Sequence, residues 1–443
     1  MSKKGFLYQS AVVASLAGFL FGFDTVVISG AEQKIQALWS LDSTLHGLAI
    51  SMALWGTVIG SLIGGWPAQF FGRKKTLLSV GVLYLISAAG SALAPEVYSF
   101  MAFRFIGGLG IGISTVAAPM FISEIAPPQY RGRLTGMFQF NIVFGILMAF
   151  LSNSLLGGIG ENAWRWMLGV EAFPAFLFFL LCFLLPESPR WLIVYKNDRI
   201  GGMNILKKTN PEISDDEISL ILDEIAATAN EKQQPRHFFT KRLLRPIFLA
   251  VLIAFFNQLS GINAILYFAP RIFEMTGLES ETALLQSVGI GITNLIFTFI
   301  GLYLIDRLGR RKLLYIGSFG YIASLGLTAW AFASGRMTMV PVYIFAFIAA
   351  HAIGQGAVIW VFISEIFPNK QRAFGQALGS FTHWFFAASL TLVFPLMAEA
   401  LPPQFIFGLF CGMMVLQLIW VRFFVPETKG IQLEKMESRL HKI

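Results

Sequence analysis

The chain has 443 residues, of which 56% are hydrophobic and 13% charged, with a mean hydropathy of +0.67 and a formal net charge of +8. The charged share is roughly half that of an ordinary soluble domain, which excludes a soluble globular fold and points to a polytopic membrane protein. The basic excess is of the kind that orients membrane loops, and it does not point to nucleic-acid binding.

Lys3 and Lys4 precede the first apolar run, but Asp24 interrupts that run and no clear small-residue cleavage site follows, so this is a first span and not a cleavable signal. Runs of about 20 apolar residues fall at 10–30, 46–71, 76–95, 98–122, 134–157 and 165–185, then at 244–269, 282–305, 313–333, 338–363, 374–397 and 403–425. The expected fold is an all-α membrane protein with twelve transmembrane helices in two six-helix halves, 1–186 and 244–425. A polar segment at 187–243 joins the halves and a tail at 426–443 follows them. Of the 33 Lys and Arg, only Lys34, Arg165, Arg271 and Arg336 fall on the side opposite the termini, and Arg104 alone lies away from the ends of a span. The positive-inside rule then puts both termini in the cytoplasm. Compact loops favour a bacterial plasma (inner) membrane. Cys182 and Cys411 lie in spans, with neither a disulfide nor a metal ligand set in prospect.

The segment 187–243 carries a capping box, Ser214-Asp-Asp-Glu217, followed by a periodic run to about Asn230. It reads as short surface helices, serving either as a latch between the halves or as a solvated linker. Three motifs repeat in order at a nearly constant offset: Gly72-Arg-Lys-Lys75 with Gly309-Arg-Arg-Lys312, Ser123-Glu-Ile…Arg131 with Ser364-Glu-Ile…Arg372, and Pro186-Glu-Ser with Pro426-Glu-Thr. Parallel halves of this kind place a substrate site at their interface near mid-membrane.

The seventh run holds an unusual stretch, Phe255 to Pro270, with Asn257, Gln258, Ser260, Gly261, Asn263 and Tyr267 in an uncharged apolar setting. Each polar group left unpaired in hydrocarbon costs several kcal/mol. Carboxamides supply donors and acceptors without charge and suit a neutral, many-hydroxyl ligand; they also serve as glue between helices. Asn263 and Tyr267 share a helix face. Asn257 and Gln258 point elsewhere on a straight helix, and a break at Gly261 brings the two groups together.

The motifs Gly72-Arg-Lys-Lys, Arg104-Phe-Ile-Gly-Gly-Leu-Gly, Pro119-Met-Phe-Ile-Ser-Glu-Ile-Ala-Pro, Pro186-Glu-Ser-Pro-Arg-Trp, Gln258-Leu-Ser-Gly-Ile-Asn, Asp306-Arg-Leu-Gly-Arg-Arg and Pro426-Glu-Thr-Lys-Gly span the chain. Together they resemble the sugar porter family of the major facilitator superfamily. The resemblance implies alternating access on a monosaccharide, a proton as coupling ion, the lipid bilayer as surroundings, function as a monomer, and no cofactor, metal or nucleic-acid partner.

Asp24 and Glu171 are carboxylates within apolar spans, where a charge is expensive. A buried acid near an arginine can hold or release a proton as solvent access changes, or can form a static pair. By resemblance, proton-coupled sugar porters carry Asp24, Arg104 and Glu171 at matching positions, and facilitative relatives usually have asparagine for the aspartate. The resemblance likewise assigns Gln139, Gln258, Asn263, Asn294 and Trp360 to sugar contacts and Trp384 to an aromatic of the same pocket; Asn257 and Tyr267 join them from the seventh-run stretch. Amides read hydroxyls, and aromatic faces cover the C–H face of a sugar ring.

Two positions depart from the family pattern. Asn257 stands where many relatives have Gln, and His383 where they often have Gln or Asn, which makes His383 a candidate site residue able to donate and accept. His351 reads as a packing residue. Arg73, Glu124, Arg131, Arg310, Glu365 and Arg372 are gating residues by the same resemblance, pairing and separating as the cytoplasmic side closes and opens. Gln69 replaces Asp306 in the first half, which predicts a weaker lock there. Gly56, Gly60 and Gly64 let helices approach closely.

The function expected is import of a hexose or pentose by proton symport. The alternatives are a facilitative uniporter and a carrier of another polyol such as inositol. A sugar sensor fits less well, because the tail after Pro426 is short. The chain has none of the metal, nucleophile-elbow or nucleotide-binding motifs of a membrane enzyme.

Overall fold

The computed structural model describes residues 5–210, 213–231, 238–368 and 371–430. Lys3, Lys4 and the tail beyond Gly430 lie outside the described residues. Among the described residues, 12 helical stretches are long and apolar enough to cross a membrane: Gly5–Gly30, Ser43–Ile63, Arg73–Leu93, Val97–Ile125, Pro128–Leu156, Ala163–Cys182, Lys241–Tyr267, Ser280–Leu308, Arg310–Ser334, Met337–Ile366, Arg372–Ala400 and Pro403–Phe423. Each coincides with an apolar run of the sequence. The protein is an all-helical, multi-pass membrane protein, because only a backbone that satisfies itself can cross hydrocarbon.

Three spans are interrupted where the sequence puts glycine or a charge. The seventh divides into helices Leu244–Leu259 and Ile262–Tyr267, hinged at Gly261 with φ +86°. A side chain there would be strained and its Cβ would meet the Phe410 ring at 2.5 Å. The sixth divides into Ala163–Gly169 and Ala172–Cys182, and Glu171 occupies the turn between them. The tenth contains a π-helical turn, Ala352–Gly356, where Gly354 lies so close to Gly317 that an added Cβ would stand 2.8 Å from its Cα. The second and fourth spans also touch through backbone: a Cβ on Gly60 would come within 2.5 Å of the Leu109 carbonyl oxygen and 3.1 Å of Gly112 Cα. Gly56 and Gly60 are therefore close-packing glycines, as their spacing predicts.

The central segment folds into three short helices, Pro189–Lys196, Arg199–Thr209 and Asp215–Glu231. Ser188 and Asp198 cap the first two, accepting from Trp191 N and Gly201 N. The third opens on the expected capping box: Ser214 N donates to Glu217 Oε2 at 3.0 Å and Glu217 N donates to Ser214 Oγ at 3.2 Å. Those bonds, the backbone one first, hold the Glu217 carboxyl below its ordinary range. Ile193, Ile218 and Leu222 give the three helices a small core of their own.

The chain divides into two compact units. Unit 1 comprises Met1–Thr25, Gly56–Ile146 and Leu168–Pro235; unit 2 comprises Val26–Trp55, Leu147–Met167 and Arg236–Ile443. Unit 2 thus includes the ends of spans one, two, five and six that lie away from the termini. The core of unit 1 is built on Leu77, Tyr84, Phe121, Phe178 and their neighbours.

Candidate transport sites

In unit 1, Asp24, Arg104 and Glu171 are each 1% exposed. Arg104 Nη1 donates to Asp24 Oδ1 at 2.5 Å and Nη2 to the Asp24 carbonyl oxygen at 3.1 Å. A charge-assisted bond in a low-dielectric setting is strong, and the second donor fixes the arginine to the helix that carries its partner. Asp24 Oδ2 and Glu171 Oε1 have no protein partner in hydrogen-bonding geometry. The Glu171 carboxyl lies against that of Asp24 and close to Arg104, so the three residues form a site with one cation and two neighbouring carboxyl groups. Asp24 stands in the last third of Gly5–Gly30 and Arg104 in the first third of Val97–Ile125.

In unit 2, the break at Gly261 lets residues on both sides of it meet. Asn263 Nδ2 donates to Gln258 Oε1 at 2.7 Å, and Gln258 Nε2 donates to Asn257 Oδ1 at 2.9 Å. The same Nε2 is 3.2 Å from both ring nitrogens of His383, so the tautomer decides which one accepts. The His383 ring packs on Trp360 at 5.0 Å and meets Trp384 edge-on at 4.8 Å. Asn257, Gln258, Asn263, Tyr267 and Trp384 are buried, and Trp360 is half-buried. Asn294 accepts from Thr298 Oγ1 at 3.4 Å instead of joining this net. Gln139 lies half-buried on the fifth span of unit 1. His351 packs as read from the sequence and is bonded to Tyr321 Oη at 2.7 Å.

The repeated motifs build one network twice. In unit 1, Arg73 grips Glu124 with Nε and Nη2, both at 2.8 Å, and its Nη1 donates to the Ala68 carbonyl oxygen at 3.0 Å. In unit 2, Arg310 grips Glu365 at 3.0 and 2.8 Å, and its Nη1 donates to the Ile305 carbonyl oxygen and to Asp306 Oδ1, both at 3.1 Å. Arg131 is exposed near the start of its helix, and Arg372 is the first residue of its own.

Glu187, Ser188, Glu427 and Thr428, which the sequence shows only as a repeat, belong to the same two networks. Glu187 accepts from the backbone N–H groups of Arg73 and Lys74, and Glu427 from those of Arg310 and Arg311. Each carboxylate thereby caps the N-terminus of a helix from another element, where the helix dipole favours an anion. Gly72 and Gly309, with φ +90° and +92°, have those carboxylates where a Cβ would stand. Ser188 Oγ donates to Glu124 at 2.5 Å and Thr428 Oγ1 to Glu365 at 2.6 Å. The signal was the recurrence of a carboxylate followed by a hydroxyl in step with the Gly-Arg motif.

A second ionic set, also missed, lies in unit 2 on the side away from the termini. Arg271 Nε and Nη2 donate to the fully buried Glu32 carboxylate at 2.9 and 2.7 Å, and Nη2 reaches Gln36 Oε1 at 2.6 Å. His46 Nε2 stands 3.0 Å from the same carboxylate, and Gln33 donates to Glu274 at 2.8 Å. Arg271 had counted only as a loop charge.

The family model for the sugar (and other) transporter matches residues 10–440. The chain is 33% identical to the arabinose-proton symporter of Bacillus subtilis over 98% of its own length and 95% of that protein. It is 32% identical to the D-xylose-proton symporter of Escherichia coli, again over 98% and 95%. The inward-open structure of the E. coli xylose transporter superposes with a TM-score of 0.87 at 31% identity, covering 98% of this chain and 99% of that one. The protein therefore belongs to the sugar (and other) transporter family, a family of membrane carriers and not of enzymes.

Proposed function

We propose that the protein imports a monosaccharide by proton symport through alternating access, as a monomer in a plasma membrane with both termini in the cytoplasm. The observation that carries the coupling is the buried Asp24–Arg104 pair with Glu171 beside it, where Asp24 Oδ2 and Glu171 Oε1 are open to a proton. A static ion pair needs neither a second carboxyl group nor an open oxygen. Protonating Asp24 removes its charge and loosens its hold on Arg104; deprotonating it restores the pair, so the proton changes what spans one and four do to each other.

Sugar recognition falls to Asn257, Gln258, Asn263, Tyr267, Asn294, Trp360, His383 and Trp384, with Gln139. The Asn257–Gln258–Asn263–His383 net is neutral and saturated around Gln258, so a sugar hydroxyl that engages Gln258 replaces a bond already present. Such exchange gives modest net affinity and strong discrimination by shape. Arg73–Glu124 and Arg310–Glu365, with Arg131 and Arg372, act as gating parts at the ends of the spans near the termini.

The test is uptake of labelled arabinose, xylose, galactose or glucose into proteoliposomes with and without an imposed inward proton gradient. Accumulation above equilibrium only with the gradient is expected. Equilibration to the same level in both conditions makes the protein a uniporter and Asp24 a structural ion.

A further inference from the structure

The third span, Arg73–Leu93, carries three buried hydroxyls on one stripe, Tyr84, Ser87 and Ser91. All three lack a protein partner in hydrogen-bonding geometry. Ser29 in the first span is in the same position, but serines in several other spans turn their hydroxyls back onto their own helix: Ser61 on Val58, Ser114 on Ile111, Ser123 on Met120, Ser152 on Ala149, Ser318 on Leu314. That back-bond was equally open to Ser87 and Ser91, which are each 1% exposed, and in an apolar span an unbonded hydroxyl is costly.

The stripe leads to the charged pair. A Cβ added to Gly107 would collide with Ser87 Oγ and stand 3.8 Å from Asp24 Oδ1, so the missing side chain at 107 lets the Ser87 hydroxyl approach Asp24. Ser87 stands in the last third of Arg73–Leu93, at the level of Asp24 and Arg104 in their own spans, while Ser91 is nearly at the end away from the termini and Tyr84 lies deeper. From Tyr84 to Ser91 the helix rises ~10 Å at 1.5 Å per residue. The charged groups that act on Tyr84 are Asp24 and Glu171, with Arg104 bonded to Asp24, and the Tyr84 hydroxyl lies toward Ser114 without a bond in hydrogen-bonding geometry.

We propose that Tyr84, Ser87 and Ser91 line a file of ordered water through which the proton travels between Asp24 and the membrane face opposite the termini. This rests on the symport reading and adds its route. Hydroxyls both donate and accept, so each can hold a water in either orientation, and a buried water needs two to four polar partners of the kind gathered here. Asp24 Oδ1 is occupied by Arg104, so Oδ2 takes the proton. One O–H bond forms on the carboxyl as one breaks on a hydronium at the Ser87 level, leaving a neutral acid and a water. Deprotonation towards the other side returns the carboxylate to Arg104.

The experiment compares gradient-driven sugar uptake with sugar counterflow, which moves no net proton, in the same proteoliposomes. The double variant Ser87→Ala/Ser91→Ala is expected to lower the ratio of the two rates roughly tenfold, a change of about 1.4 kcal/mol in the proton step, and Tyr84→Phe to lower it less. An unchanged ratio overturns the route. A wild type that shows no gradient-driven accumulation overturns the symport reading itself, which is a distinct result. Accessibility gives a measure that does not depend on transport. In a Cys182→Ser/Cys411→Ser background, Ser91→Cys and Ser87→Cys should react with a small hydrophilic thiol reagent added from the face opposite the termini, Ser91→Cys the faster. Inert thiols at both positions mean a dry stripe and overturn the proposal.

Discussion

The two units can be compared at two depths, and they agree at one and disagree at the other. Near the termini each has a left-handed glycine, an arginine clamping a glutamate with two bonds, a second glutamate capping the helix that starts with that arginine, and a hydroxyl on the clamped carboxylate. Within the spans, unit 1 holds an aspartate, an arginine and a glutamate, whereas unit 2 holds amides, a histidine and two tryptophans. The frame was duplicated and kept because it is a closed geometric device: move the glycine and the carboxylate has no place. The deep positions differ in chemistry: unit 1 has ionisable groups, which suit a proton, and unit 2 has neutral amides, which suit hydroxyl groups, as the proposed division of labour requires.

The strongest way to break this division of labour is Asp24→Asn. The side chain keeps its size and can still accept from Arg104, but it cannot release a proton. Gradient-driven accumulation should be abolished while sugar counterflow persists, both measured in proteoliposomes. A variant that still concentrates sugar would move the coupling out of unit 1.

Next in size is a test of the agreement. Arg73→Ala strands Glu124, whose side chain is 8% exposed, whereas Arg310→Ala strands Glu365 at 22%. Removing one partner of a buried ion pair costs about 3–5 kcal/mol, and the cost falls where water can reach the survivor. Thermal unfolding in detergent should show the larger loss for Arg73→Ala. The reverse order would mean that Asp306, present only in unit 2, matters more than burial.

Most of this architecture was legible beforehand, for physical reasons. Hydrocarbon thickness fixes the length of a span, so the twelve apolar runs became twelve spans among the described residues, most with ends displaced by a few residues; the second run, read to 71, ends at Ile63, and a separate short helix Gly65–Phe70 follows. Gly261 was readable as a break because the amides on either side of it could not otherwise share a face. That Arg73, Glu124 and Arg131 recur as Arg310, Glu365 and Arg372 was visible as a repeat of opposite charges, but not that Arg73 takes Glu124 and Arg310 takes Glu365. What stayed hidden involved groups that make sense only through a partner far along the chain. Glu187 and Glu427 bond to backbone N–H groups, which leave no side-chain signature. Glu32 becomes remarkable only once its burial against Arg271 is seen, and Ser87 only once it fails to bond its own helix.

A smaller effect is expected at the amide net. Gln258→Ala removes the group that joins Asn257, Asn263 and His383, and should weaken sugar binding by about 1–3 kcal/mol, the cost of leaving polar partners unpaired. Calorimetry with the transported sugar measures it. His383→Gln restores an amide at that position and should shift the ranking among hexoses and pentoses more than it changes the best affinity. If neither substitution moves binding, hydroxyl recognition does not reside in this net.

The smallest effect concerns the one position where the duplicated frames differ in charge. Gln69 in unit 1 stands where unit 2 has Asp306, and charge counting predicts a weaker clamp on Arg73. The geometry argues otherwise. Asp306 is 81% exposed and reaches Arg310 at 3.1 Å as a helix neighbour, an arrangement worth about 0.5 kcal/mol or less. Unit 1 has a different tie at this point: Trp191 Nε1 donates to the Gln69 carbonyl oxygen at 2.6 Å. That bond uses backbone, so Gln69→Asp leaves it in place and adds only a solvated charge. Gln69→Asp and Asp306→Asn should therefore each change unfolding free energy by no more than about 0.5 kcal/mol, whereas Trp191→Phe, which keeps the ring and removes the donor, should cost about 1 kcal/mol. A larger effect from the charge swaps than from the lost indole donor would mean that the clamps are held by their field and not by their bonds.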